Sequence, residues 1–183
     1  MTDLFPRAGR LKIGYRRDQV DEFFTQAREA YEQADGGAMD AIDVRRASFD
    51  LKRGGYATPP VDAALDRLEQ AFAARSRESF IKQKGQEAWL ADLANRAQVL
   101  YPRLRRPAGE RFARPGGISG GYDAKAVDEV LDRLTGFFDR GEAISAEELR
   151  SLTFKRRAKW RAYEERVVDA YLARAVDILL GVA

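Results

Sequence analysis

The chain has no cysteine and no histidine among its 183 residues. Without cysteine it forms no disulfide, offers no thiolate nucleophile and builds no cysteine-based zinc site; without histidine it lacks the commonest general base and the commonest transition-metal ligand. Long apolar runs are missing too, the longest being a few residues against the ~20 that cross a bilayer. Charge of one sign is equally scarce: 32 Lys and Arg against 29 Asp and Glu leave a net charge of +3, too small to identify a partner. These absences weigh against an enzyme, so the expectation is no catalytic residue, no cofactor and no bound metal. The opening residues, Met1 to Pro6, carry no signal-peptide apolar region, which makes the cytoplasm the expected compartment.

What the chain does contain is a repeat. Tyr, four residues, then Val-Asp occurs as Tyr15, Val20, Asp21; as Tyr56, Val61, Asp62; as Tyr122, Val127, Asp128; and as Tyr163, Val168, Asp169. Gly14, Gly55 and Gly121 precede the first three tyrosines and Ala162 the fourth. From each Val, steps of four, three and four give Val20, Phe24, Ala27, Tyr31; Val61, Leu65, Leu68, Phe72; Val127, Leu131, Leu134, Phe138; and Val168, Leu172, Ala175, Leu179. That spacing puts each set on one helical face, so these are the candidate module-packing residues.

The copies are paired. Tyr15 to Tyr56 and Tyr122 to Tyr163 each span 41 residues, and an offset of 107 maps Phe5, Arg7, Gly9, Leu11 and Gly14 onto Phe112, Arg114, Gly116, Ile118 and Gly121. Before each even copy a short amphipathic turn ends in Phe49 or Phe154. The expectation is an all-α chain with short extended loops, made of tandem duplicated helical modules packed through their apolar seams. Its parts are a module pair at 1–75, a connecting helix at 76–108 and a second pair at 109–183. Helices are predicted over 18–34, 39–48, 58–84, 86–101, 124–140, 146–154 and 164–180. Asp123 is suited to cap the third module's helix, with Tyr122 stapled onto Val127, while Thr58, Pro59 and Pro60 open the second. Gly116 and Gly121 have the spacing of P-loop glycines, but Tyr122 and Asp123 stand where Lys and Ser or Thr are required. Gly9 and Gly14 repeat that spacing, so these glycines belong to the module, where they permit positive φ.

The segment from Ala73 to Ala108 has no counterpart elsewhere. Trp89, Leu93, Ala97 and Leu100 give it a buried helical face, with Gly85 as a break and Pro102 and Pro107 as its end. The basic stretch that follows, Arg103, Arg105, Arg106, Arg111 and Arg114, is either a solvated linker or a contact for an acidic partner surface or phosphate.

Phe49, Arg53, Gly54, Gly55, Tyr56, Val61, Asp62, Leu65, Asp66, Arg67 and Leu68 together resemble the N-terminal module of the DivIVA family, as do Gly121, Tyr122, Asp123, Val127, Asp128, Leu131, Asp132, Arg133 and Leu134. The resemblance covers roughly 1–72 and 109–181. It implies a non-catalytic cytoplasmic protein that self-associates, lies peripherally on the inner face of the membrane and recruits division or polar-growth machinery. Polar scaffolds of that family carry a long coiled coil after one module. Here four modules share one chain, so the seams can pair internally, which favours a compact adaptor. The family's membrane contact is an exposed aromatic followed by a basic residue, three and two positions before the Tyr. Lys12, Arg53, Ser119 and Trp160 occupy the first of those positions, leaving Trp160 with Arg161 as the one match. Lys155, Arg156, Arg157 and Lys159 surround it and would attract an anionic leaflet; the alternative is that Trp160 packs into the core. The same basic segments carry the competing reading of a nucleic-acid-binding helical protein, which the near-balanced charge and the lack of a binding motif disfavour.

Overall fold

The structure is a computed structural model that describes residues 3–9, 11–33, 39–117 and 119–182. It is mostly helical with a few short strands. The chain divides into two compact units, Met1–Gln83 and Lys84–Ala183.

In unit 1, strand β1 (Ile13–Tyr15) leads into helix α1 (Arg17–Glu32), followed by the short helix α2 (Ala41–Arg45), strand β2 (Leu51–Arg53) and helix α3 (Thr58–Lys84). Asp40 caps α2, accepting from the backbone N–H of Ile42 and Asp43 while Asp43 reaches back to Asp40 N–H. β1 and β2 pair antiparallel, with Gly14 opposite Lys52 and Tyr15 opposite Leu51, and Tyr15 also bridges Tyr56. α1 and α3 bury their seams together. Val20, Tyr56 and Val61 form one cluster with Phe24 and Leu65 against it; Ala27, Ala30, Val44 and Phe72 form another, packed by Leu65 and Leu68. The buried Glu69 carboxylate on α3 accepts from Arg45 Nε at 2.8 Å, so the charge is paired where it is hidden.

Unit 2 holds α4 (Gln86–Gln98), α5 (Tyr101–Leu104), β3 (Gly121–Asp123), α6 (Ala124–Arg140), α7 (Ala146–Arg150), β4 (Arg156–Arg157), a 3-10 turn (Lys159–Arg161), β5 (Ala162–Tyr163) and α8 (Glu165–Val182). β3 lies between β4 and β5, antiparallel to both. Asp123 caps α6 by accepting from Lys125 N–H, and Ser145 caps α7 by accepting from Glu148 N–H. One continuous core gathers Val127, Leu131 and Leu134 of α6, Val168, Leu172, Ala175 and Leu179 of α8, and Leu93, Ala97, Leu100 and Leu104 of α4 and α5. α4 and α5 are thus core elements of unit 2, and the Trp89 indole N–H donates to Gly181 O at 3.1 Å.

Several local expectations change. α2 and α7 stop at Arg45 and Arg150, short of the predicted 48 and 154. The residues beyond them must extend to pair as β2 and β4. The helix predicted over 86–101 ends at Gln98, and a second short helix follows from Tyr101, with Pro102 in its first turn, where the missing N–H costs nothing. Gly14 and Gly121 do not use positive φ. A Cβ on either would fall well inside 3.0 Å of the Tyr56 or Tyr163 carbonyl, so close backbone approach is what requires glycine there. Gly9 and Gly116 also have ordinary φ, whereas Gly85, at φ +87°, does make the break between α3 and α4.

Candidate functional site

Each unit is organised around a buried tyrosine. Tyr163 is fully buried; its hydroxyl donates to Asp128 Oδ1 at 3.0 Å and accepts from Arg111 N–H at 3.1 Å. Displaced by 107 positions, Tyr56 donates to Asp21 Oδ1 at 2.8 Å and accepts from Leu4 N–H at 3.0 Å. Glu164 N–H to Ala113 O and Ala57 N–H to Pro6 O are both 2.9 Å. Phe112 stands edge-on to Tyr163 as Phe5 does to Tyr56, and Phe154 packs on Tyr122 as Phe49 does on Tyr15. Tyr15 and Asp62 also lie close enough to interact, as do Tyr122 and Asp169. Every motif tyrosine therefore faces the motif aspartate of the other copy in its pair. Burial pushes all four phenols above their ordinary range, and the aspartates add to the shift.

The buried ionisable groups of unit 2 serve this closure. Asp128 also accepts from Gly109 N–H at 2.7 Å. Arg111, buried beside it, donates to Asp128 O at 2.8 Å and to Asp132. The basic stretch is consequently solvated only in part: Arg105, Arg106 and Arg114 are exposed, Arg103 is half-buried and Arg111 is buried. Arg103 lies over the Phe112 ring and donates to Arg111 O; Arg105 lies over Tyr101; Arg114 lies over Tyr163 and donates to Gly109 O. Aromatic faces and carbonyls engage four of its five guanidiniums.

The exposed chemistry sits in the loop from Lys155 to Arg161. Phe154 anchors its entry on Tyr122 and the buried pair Ala162 and Tyr163 anchors its exit. Between the Phe and Tyr anchors this loop is two residues longer than its counterpart in unit 1, and the extra length forms the 3-10 turn. At that turn Trp160 is 75% exposed. It is outside the core. Lys155, Lys159 and Arg161 are exposed around it. Arg157 donates to Asp123 Oδ2 at 2.8 Å, which holds that carboxyl below its ordinary range. Arg156 Nε is 2.7 Å from Glu165 Oε1, an ion pair whose alignment makes no hydrogen bond. Two of the cations expected to serve the site are therefore also tied to carboxylates.

Sequence reasoning missed a second exposed patch. On the β1–β2 pair and the residues leading into it, Leu11 is 87% exposed and Ile13 and Leu51 are exposed too, with Lys12, Lys52 and Arg53 beside them. Apolar residues next to basic ones, Leu11-Lys12-Ile13 and Leu51-Lys52-Arg53, were the available signal. Of the packing residues, Tyr31 is 41% exposed and Phe24, Leu65, Leu68 and Phe138 are half-buried, while the other seam residues named above are buried.

Two strings share the spelling of catalytic motifs without their context. Gly117, Ser119 and Gly121 spell G-x-S-x-G, but that motif needs a turn from the end of a strand into a helix, and here Gly121 is the first residue of strand β3. Ser79 and Lys82 spell S-x-x-K on α3, where the Ser79 hydroxyl accepts from Gln83. Among the described residues no group of His, Cys, Asp and Glu could hold a metal ion, and no helix is long and apolar enough to cross a membrane. Comparison with family models, with curated proteins and with solved structures finds no match to this chain.

Proposed function

We propose that the chain is a non-catalytic, DivIVA-like adaptor made of four copies of one helical module, closed as two tandem pairs. In this reading it lies in the cytoplasm, attaches through the Lys155–Arg161 loop to the anionic inner face of a bacterial membrane and recruits proteins of the division or growth machinery. The contacts that recur at an offset of 107 support the duplication. The reciprocal Tyr–Asp pairs support modules that satisfy each other within one chain, so a long coiled coil is not needed to bury the seams. Four of the five arginines in the 103–114 stretch are engaged internally, which disfavours a nucleic-acid interface there.

One observation carries the membrane reading: Trp160 is three-quarters exposed at the tip of a basic turn whose two ends are anchored in the core. An indole suits the headgroup boundary. Cations beside it add ~1 kcal/mol each near an anionic surface, within a Debye length of ~8 to 10 Å. Co-sedimentation with vesicles tests this. The protein is expected to pellet with phosphatidylglycerol but not phosphatidylcholine vesicles, less at high salt and less again with Trp160→Ala. Wild type remaining in the supernatant at low salt with anionic vesicles overturns the reading.

A further inference from the structure

Large aliphatic side chains stand in solvent at one place in unit 1, and the charge around them has one sign. Leu11 is 87% exposed, Leu51 63% and Ile13 60%, all on the β1–β2 pair or the residues leading into it, and Ile13 stands opposite Arg53 in the ladder. Residues 8–17 contain four basic residues and no acid; residues 51–57 contain Lys52 and Arg53 and no acid. Lys12, Lys52 and Arg53 are exposed and, among the described residues, make no ion pair. The carboxylates that share a cavity with Lys52 and Arg53 are already engaged. Asp3 accepts from Arg7 and Arg17, Asp18 from Arg16, and Asp21 from the Tyr56 hydroxyl. Asp50, next to Leu51, accepts from Gln19 and lies 3.8 Å from Arg16.

We propose that this surface of unit 1 is a contact for an anionic lipid bilayer: Leu11, Ile13 and Leu51 enter the headgroup boundary while Lys12, Lys52 and Arg53 meet lipid phosphates. Charge and shape together select that occupant. Cations left without carboxylate partners, set among exposed aliphatic side chains, complement a surface that is anionic outside and apolar just beneath. Their long stems lie along apolar surface while their heads reach the phosphates. At its exposure the Leu11 side chain projects into solvent and lines no hollow, so what receives it must yield around it, as lipid does, where a small ligand would need a concave site. The inference stands apart from the Lys155–Arg161 loop, which belongs to unit 2 and offers an indole. Arg53 holds in unit 1 the position that Trp160 holds in unit 2, three before the tyrosine, and aliphatic side chains supply the apolar contact in its place.

Because the chain has no cysteine, Leu11→Cys places a single environment-sensitive fluorophore on the patch of the full chain. Phosphatidylglycerol vesicles are expected to shift its emission to the blue and raise it several-fold, with quenching by nitroxide-labelled lipids, and phosphatidylcholine vesicles to leave it unchanged. Lys12→Glu with Lys52→Glu should weaken the response about tenfold, which corresponds to about 1.4 kcal/mol; in the unlabelled chain Leu11→Ser with Leu51→Ser should lower the fraction that pellets with the same vesicles. All four positions are exposed, and circular dichroism checks that each variant keeps its fold. The same fluorophore on Trp160→Cys reports the unit 2 loop separately. A response there with none at position 11 overturns the proposal and leaves the loop reading standing; a response at position 11 with none at 160 supports the proposal and counts against the loop. A blue shift produced without lipid also overturns it: by poly-glutamate, because the patch then takes an acidic protein, or by raising the protein concentration, because a second copy then covers it.

Discussion

Tyr163 and Asp128 stand 35 residues apart in the chain and meet by a buried 3.0 Å hydrogen bond. The two belong to different copies of one motif. The tyrosine of the second copy in the pair is completed by the aspartate of the first, and Tyr122 faces Asp169 in return. The motif's Tyr and Asp thus tie together segments that are distant in the chain.

Removing the hydroxyl should expose that role. Tyr163→Phe keeps the ring packing on Phe112 but leaves the Arg111 N–H and part of Asp128 without their partner. A loss of about 1–3 kcal/mol is expected in urea unfolding, and Tyr56→Phe should behave alike in unit 1.

Glycine at the strand junctions is a steric requirement. Gly121→Ala drives a Cβ into the Tyr163 carbonyl and should cost about 1–3 kcal/mol or more, because backbone must move to relieve it. Gly116→Ala, with nothing near its Cβ and an ordinary φ, should be close to neutral by the same measurement.

Seam substitutions should rank by burial. Leu134→Ala, at a fully buried position of α6, is expected to cost about 2–5 kcal/mol, and Leu68→Ala, at a half-buried position of α3, clearly less. Thermal or urea melts check the ranking, which equal losses would contradict.

Stability should fall in alkali. Burial raises the phenols of Tyr15, Tyr56, Tyr122, Tyr163 and Tyr171 above the usual value of 10.0. Below that value both folded and unfolded chains hold the protons, so these groups leave stability unchanged with pH. Above it the unfolded chain releases protons that the folded chain retains, and stability declines as pH rises toward the raised values. Urea midpoints between pH 9 and pH 11.5 should show the decline, and Tyr171→Phe should make it shallower.

Within the proposed membrane site the cations should not be equivalent. Arg157 is bound to Asp123, whereas Lys155 and Lys159 are exposed without such a bond. Lys155→Ala with Lys159→Ala should weaken vesicle binding more than Arg157→Ala, measured by co-sedimentation at one salt concentration.

Much of this architecture is written in local order. The 4-3-4 spacing of apolar residues marks the helices that carry the seams, because a helix repeats every 3.6 residues whatever surrounds it. Asp40, Ser145 and Asp123 mark helix starts by satisfying N–H groups within three residues. Four motif copies and the 107-residue offset are visible in the letters alone. Contacts between distant segments are not. Only the closed fold decides that Tyr56 bonds Asp21 and not its own Asp62, that glycine is needed for close approach at Gly14, and that Arg111 is buried while Trp160 is exposed. The cause is physical: composition gives an arginine-rich loop and an indole-bearing loop similar prospects, and which one is taken out of water depends on the carbonyls, carboxylates and aromatic faces that other segments bring to it.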